Sequence, residues 1–155
     1  MKPNPDKWHL LISKVNNCKG FNITVGHTCI SNSSEGKILG VYFDNKFSFQ
    51  AHLRKICKKA SRKLHALVRL SNYMSCKQRK IIMNAFITSQ FSYCPLIWMC
   101  HGKNINVQIN TIHQRTLRIV YTDYTSSFEE LLQKSESMCI HHRNIQLLAY
   151  WNVDF

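Results

Sequence analysis

The spacing of apolar positions changes at about Asp44. Before it, KWHLLIS, FNITV, HTCIS and KILGVYF are short β-branched or aromatic runs parted by Asn, Gly and Ser clusters, the pattern of three or four short strands. After it the period becomes helical. Leu53, Ile56, Cys57, Ala60, Leu64, Leu67 and Val68 fall on one side of a helical wheel at about 100° per residue, and Lys55, Lys58, Arg62 and Arg69 fall roughly opposite. A second helix opens at Ser75, where Ser75 and Gln78 make a capping-box pattern; Ile82, Ala85, Phe86, Ser89, Tyr93 and Leu96 would form its inner face, and Pro95 would kink or end it. A third runs from about Asn104 to Tyr121, with Ile105, Ile109, Ile112, Thr116 and Val120 inward and Arg115 and Arg118 outward. Ser127 and Glu130 cap a short fourth helix, and a fifth covers Met138 to Trp151.

These periods predict an α+β chain, mainly α. A small antiparallel β element over residues 1–44 precedes a bundle of about five helices over residues 45–155. No Pro/Gly/Ser-rich linker parts the two, so they are expected to fold as one cooperative unit. With 155 residues, 45% of them hydrophobic, the chain can build a core and is no disordered basic tail.

Charge adds a direction. The formal net charge is +13, and it is concentrated: His52 to Lys80 holds ten lysines and arginines in 29 residues, with no acid among them. Such a block repels itself unless something anionic lies against it, which makes nucleic acid the expected partner, contacted through Lys55, Lys58, Arg62 and Arg69. A membrane is disfavoured as the target of insertion, because the most apolar run, AFITSQFSYCPLIWMC, is about 16 residues long and interrupted by Thr88, Ser89, Gln90 and Ser92. Seven cysteines at irregular spacings read as reduced thiols in an intracellular protein, in nucleus or cytoplasm, and the N-terminus carries no signal-peptide pattern.

Candidate chemistry is thin. Two-metal nucleotidyl transfer needs clustered carboxylates, whereas Asp6, Asp44, Asp123 and Asp154 stand apart and the Glu129–Glu130 pair suits a helix start. Cys94, Cys100, His101, Cys139, His141 and His142 match neither a zinc knuckle nor a finger in spacing. No nucleophile elbow or phosphate-cradling glycine loop is present. The expectation is therefore a chain with no catalytic residues and no cofactor of its own.

The succession NPDKWHLLIS, KILGVYFD, HLRKICKKASRKLHALVRL, AFITSQFSYCPLIWMCH, INTIHQRTLRIVY and SSFEELL resembles the C-terminal part of reverse transcriptases from non-LTR, jockey-like retrotransposons, over nearly the whole chain. In that family an N-P-x-K stretch lies just downstream of the catalytic Ala-Asp-Asp box, in the late palm; Asn4, Pro5 and Lys7 match it. The resemblance implies that Leu39 and Gly40 belong to a primer-grip hairpin. It also implies that the helices beyond are a thumb holding the RNA/DNA template–primer duplex. The Ala-Asp-Asp box itself, which would hold Mg2+ in an intact parent, is missing. The chain then reads as a fragment or decayed copy of an RNA-directed DNA polymerase, inactive alone and at most a non-sequence-specific binder. Such a fragment would leave an exposed β edge of Leu10, Leu11, Ile12 and Val41, prone to association. The alternative reading is a free-standing protein-interaction module with no nucleic-acid role.

Overall fold

In the computed structural model, residues 10–12, 22–99 and 102–151 are described. The chain divides into two compact units, residues 1–52 and 53–155. The boundary falls in the first turn of a helix, later than the change of period at Asp44.

Unit one is built from two antiparallel hairpins. β1 (Asn22–Val25) pairs with β2 (Thr28–Ser31), and β3 (Glu35–Ile38) with β4 (Val41–Asp44). KILGVYF is thus not one strand: it crosses a two-residue turn at Leu39-Gly40 and supplies both sides of the second hairpin. Both turn residues have positive φ, 49° at Leu39 and 87° at Gly40, as a tight hairpin turn matched to the strand twist demands. Glycine takes that conformation freely, whereas leucine is strained in it. Of KWHLLIS only Leu10 to Ile12 are described; Leu10 makes an isolated parallel bridge to Asn32 rather than a strand.

The expected apolar edge also differs. Val41 is buried at 4% exposure and Leu10, Leu11 and Ile12 are half-buried, while Ile38 and Leu39 stand out at the tip of the second hairpin. Ile38 is the last paired residue before the turn, opposite Val41, and Leu39 lies in the turn itself, so both stand at the end of the hairpin.

After β4, Phe47 N donates to Asp44 O, and the Asp44 carboxylate accepts from both Ser48 N and Ser48 Oγ, which closes the loop into α1 (Gln50–Leu70). Phe43, Phe47 and Phe49 gather there, with ring centroids 5.4 to 6.5 Å apart.

Unit two is helical. Beyond α1 come a 3-10 turn at Ser71–Tyr73, α2 (Cys76–Ile82), a π-helical stretch at Met83–Thr88, α3 (Ser89–Ser92) and a second 3-10 segment at Pro95–Met99, followed by α4 (Lys103–Tyr121), α5 (Phe128–Ser135) and α6 (Ile140–Trp151). Both predicted capping boxes form: Ser75 with Gln78 opens α2, and Ser127 with Glu130 opens α5. The helical run ends at Ser92; Tyr93 is extended, and Cys94, directly before Pro95, has a positive φ of 51°. Leu53, Leu67, Phe91, Ile109, Leu117, Val120 and Leu131 are fully buried and form the core of this unit.

The inner face of α4 is the one its period predicts: Ile105, Ile109, Ile112, Thr116 and Val120 are all buried. On α1 the prediction misses one residue, since Val68 is 48% exposed. The α2–α3 segment departs further. Met83, Ile87, Thr88 and Phe91 are buried, whereas Ala85, Phe86, Ser89, Tyr93 and Leu96, expected inside, are exposed. The wider π turn, bonded i to i+5, breaks the 3.6-residue period on which the expectation rested and carries a different stripe inward.

Candidate nucleic-acid interface

α1 carries seven of the ten basic residues of the block and no acid. Lys55, Lys58, Arg62 and Arg69 are all exposed, and Leu53, Cys57, Ala60, Leu64 and Leu67 on the other side are buried. Helical geometry sets the four cations within roughly 60° of one another around the axis and spreads them over about 21 Å along it. Arg54 and Lys59 are exposed beside them. Lys63 lies over the Phe86 ring, 5.5 Å from its centroid, where partial burial and the neighbouring Lys59 charge lower its pKa. Burial pushes the Cys57 thiol up to about 11, so on the apolar side it stays protonated and inert.

Arg79 and Lys80 of the block do other work. Arg79 Nη1 donates to Ile119 O at 2.6 Å and to Thr122 Oγ1 at 2.8 Å, and Lys80 Nζ donates to Ser135 O at 3.3 Å. Both cations therefore satisfy carbonyls at helix C-termini, where the last turn leaves acceptors open and the macrodipole is negative. Of the block from His52 to Lys80, Arg79 and Lys80 are thus engaged within the fold, whereas Lys55, Lys58, Arg62 and Arg69 are exposed.

Two hollows lie where α1 runs beside α4. One, of about 360 Å³, is bordered by Lys58, Cys57, Thr111 and Ile112. The other, of about 630 Å³, brings Arg69 of the stripe together with Arg115 and Arg118 of α4. Sequence reading placed those two arginines outward without joining them to the stripe. The signal was present in the chain, because no Asp or Glu occurs between Asp44 and Asp123, a run that takes in all of α1 and α4.

Three acids, Asp44, Asp123 and Glu130, hold loops or a helix start together. Asp44 is partly desolvated, which raises its pKa, but hydrogen bonds from Ser48 more than offset this and leave it below the usual carboxylate range. Asp123 is held well below that range, first by the Lys134 ammonium at 2.8 Å and then by Ser126 N and Oγ. Glu130 closes the α5 capping box. Asp6 and Asp154 lie outside the described residues, as do Asn4, Pro5 and Lys7 and the Cys100–His101 pair. Among the described residues no three His, Cys, Asp or Glu side chains gather as metal ligands, and no helix is long and apolar enough to cross a membrane.

Leu39 and Gly40 form the exposed turn of the second hairpin in unit one. Sequence reading also missed two buried polar groups. Asn144, 1% exposed, donates from Nδ2 to Phe91 O at 3.2 Å and so ties α6 to the end of α3. His113, 4% exposed, packs edge-on to Phe128 at 5.6 Å; burial, helped by the Arg143 charge, pushes its pKa down to about 4, so at neutral pH it is uncharged. No family model matches the sequence, and comparison with curated proteins and with solved structures gives no significant match.

Proposed function

We propose that this chain binds the phosphate backbone of nucleic acid without sequence preference, in the manner of the thumb of a non-LTR retrotransposon reverse transcriptase, and has no polymerase activity by itself. One observation carries the reading: four cations, Lys55, Lys58, Arg62 and Arg69, stand exposed in file on the face of α1 opposite its buried side, within an acid-free run. Phosphates recur along a duplex at short, regular intervals, and a row of cations neutralises them without touching base edges. The resemblance supplies the partner's form, an RNA/DNA template–primer duplex, and assigns the Leu39-Gly40 hairpin to the primer's end. Cysteines left as free thiols at positions 29, 57, 76, 94 and 139 suit an intracellular setting.

Replacing Lys55, Lys58, Arg62 and Arg69 together by glutamine removes the charge and leaves the buried side of α1 untouched. Binding to RNA–DNA hybrids of two unrelated sequences should weaken by at least about tenfold for both at low salt. A folded variant that binds as tightly as the parent would reduce the stripe to a hydrated helix face.

A second reading, a protein-interaction module, is favoured by Ile38 and Leu39, 63% and 86% exposed at the hairpin tip. Substituting both with serine and following self-association by sedimentation separates it from the first. Loss of association without loss of hybrid binding would give the tip that role.

A further inference from the structure

The hollow at the C-terminal ends of α1 and α4 combines three kinds of surface. Its floor is apolar, from Val68 and Ile119; Arg69, Arg115 and Arg118 stand around it; and Tyr124, 65% exposed, closes one side. No acid lines it. The nearest carboxylate in sequence, Asp123, is taken by Lys134 at 2.8 Å and by Ser126. Arg118 has a buried Nε with no hydrogen-bond partner, a donor left over by the fold at the edge of the groove. Arg79 steadies the neighbouring backbone by bonding to Ile119 O and Thr122 Oγ1, so the segment that carries Tyr124 leaves a braced helix end.

A plain phosphate backbone needs the arginines but not the apolar floor or the tyrosine. An unpaired nucleotide needs all three. Its base has two apolar π-faces that stack on an aromatic ring or a guanidinium plane, and its phosphate is an anion for the remaining arginines. The volume, about 630 Å³, lies within the range of small-ligand sites. We infer that this groove takes an unpaired nucleotide at the end of a nucleic-acid strand, its base against Tyr124 and Val68 and its phosphate on Arg115 and Arg118. The inference rests on the nucleic-acid reading and extends it: the α1 stripe holds the duplex backbone, and its Arg69 end leads into a groove for a nucleotide that has left the duplex.

The test compares a blunt RNA–DNA hybrid with the same hybrid carrying a four-nucleotide single-stranded extension, by fluorescence anisotropy at one salt concentration. The full chain should bind the extended hybrid about tenfold more tightly, as stacking of one base provides. Tyr124→Ala, at an exposed position outside the helices, should remove that preference and leave blunt-hybrid binding unchanged. Arg115→Gln should reduce it in part. Equal affinity of the parent for the two hybrids, or a preference that survives in Tyr124→Ala, would overturn the inference. The stripe reading fails by a different result: a Lys55→Gln, Lys58→Gln, Arg62→Gln variant that binds the blunt hybrid like the parent. A fluorescein-labelled tetranucleotide tests the groove even then, since it should bind the parent and be lost with Tyr124→Ala; no binding to the parent would count against the groove.

Discussion

Arg62 and Arg79 share a side chain and a charged segment but not a role. Arg62 is exposed on α1, whereas Arg79 reaches across to the end of α4, donating to Ile119 O and Thr122 Oγ1. Hydrogen bonds from a charged donor contribute about 1.5–3 kcal/mol, so Arg79→Gln should lower the free energy of unfolding by that order, measured by urea denaturation, while hybrid binding by the folded fraction stays unchanged. The reverse is expected of Arg62→Gln. His113 makes a second prediction at this scale. Its folded pKa of about 4 lies below the ordinary value of 6.5, so the unfolded chain takes up the proton first as pH falls. The contribution of His113 is complete above pH 6.5 and is lost progressively from there towards pH 4, on the order of 3 kcal/mol in all. Denaturation midpoints taken at pH 7.5 and pH 4.5 should diverge accordingly, and His113→Gln should narrow the difference; an equal divergence in the variant would place the titrating group elsewhere.

Among the elements, those with a single unambiguous apolar stripe were legible in the sequence. α4 shows it best, with each predicted inner residue buried, and the capping boxes at Ser75 and Ser127 marked true helix starts because their side chains have few other ways to satisfy the first-turn N–H groups. The segment after Ile82 was illegible for a physical reason. It is apolar on more than one side, and a π-helical stretch, which no local residue announces, decides which side turns inward. The stripe on α1 was legible residue by residue, but its company of Arg115 and Arg118 was not, because only packing of α1 beside α4 brings residues so far apart in sequence to one groove. The second hairpin illustrates the same limit, since KILGVYF reads as one run until its turn is known. That turn yields a prediction: Leu39 holds φ at 49°, a conformation glycine adopts without strain and asparagine more readily than leucine. Leu39→Gly should leave the hairpin as stable or more so by up to about 1 kcal/mol. If the variant instead loses hybrid binding while its stability rises, the exposed leucine serves a contact rather than the fold.

For the whole molecule, charge and architecture point the same way. A helical unit with a net excess of cations and no acid from Asn45 to Thr122 places its positive charge on the outside of α1 and along the α1–α4 groove, while Asp44, Asp123 and Glu130 are absorbed into loop and cap contacts. The mainly helical α+β architecture was legible from the change of period at Asp44; the unit boundary was not, because the first turn of α1 is helical by pattern yet belongs to the β unit by packing. The same inventory bears on catalysis. Primer extension on an RNA template with the purified chain should give no product, since two-metal transfer needs carboxylates brought together and Asp44 and Asp123 are each committed to a separate loop.

The central claim, that the α1 stripe meets a phosphate backbone, is tested most directly by the salt dependence of binding. Affinity for an RNA–DNA hybrid should be measured from 50 to 200 mM salt for the parent and for the Lys55, Lys58, Arg62 and Arg69 to glutamine variant. Four phosphate contacts by the stripe predict a parent that loses about a hundredfold in affinity over that range, and a variant whose slope of log affinity against log salt is shallower by roughly 3 to 4, the same for unrelated sequences. Equal slopes for parent and folded variant would contradict the claim and return the stripe to the role of a hydrated helix surface.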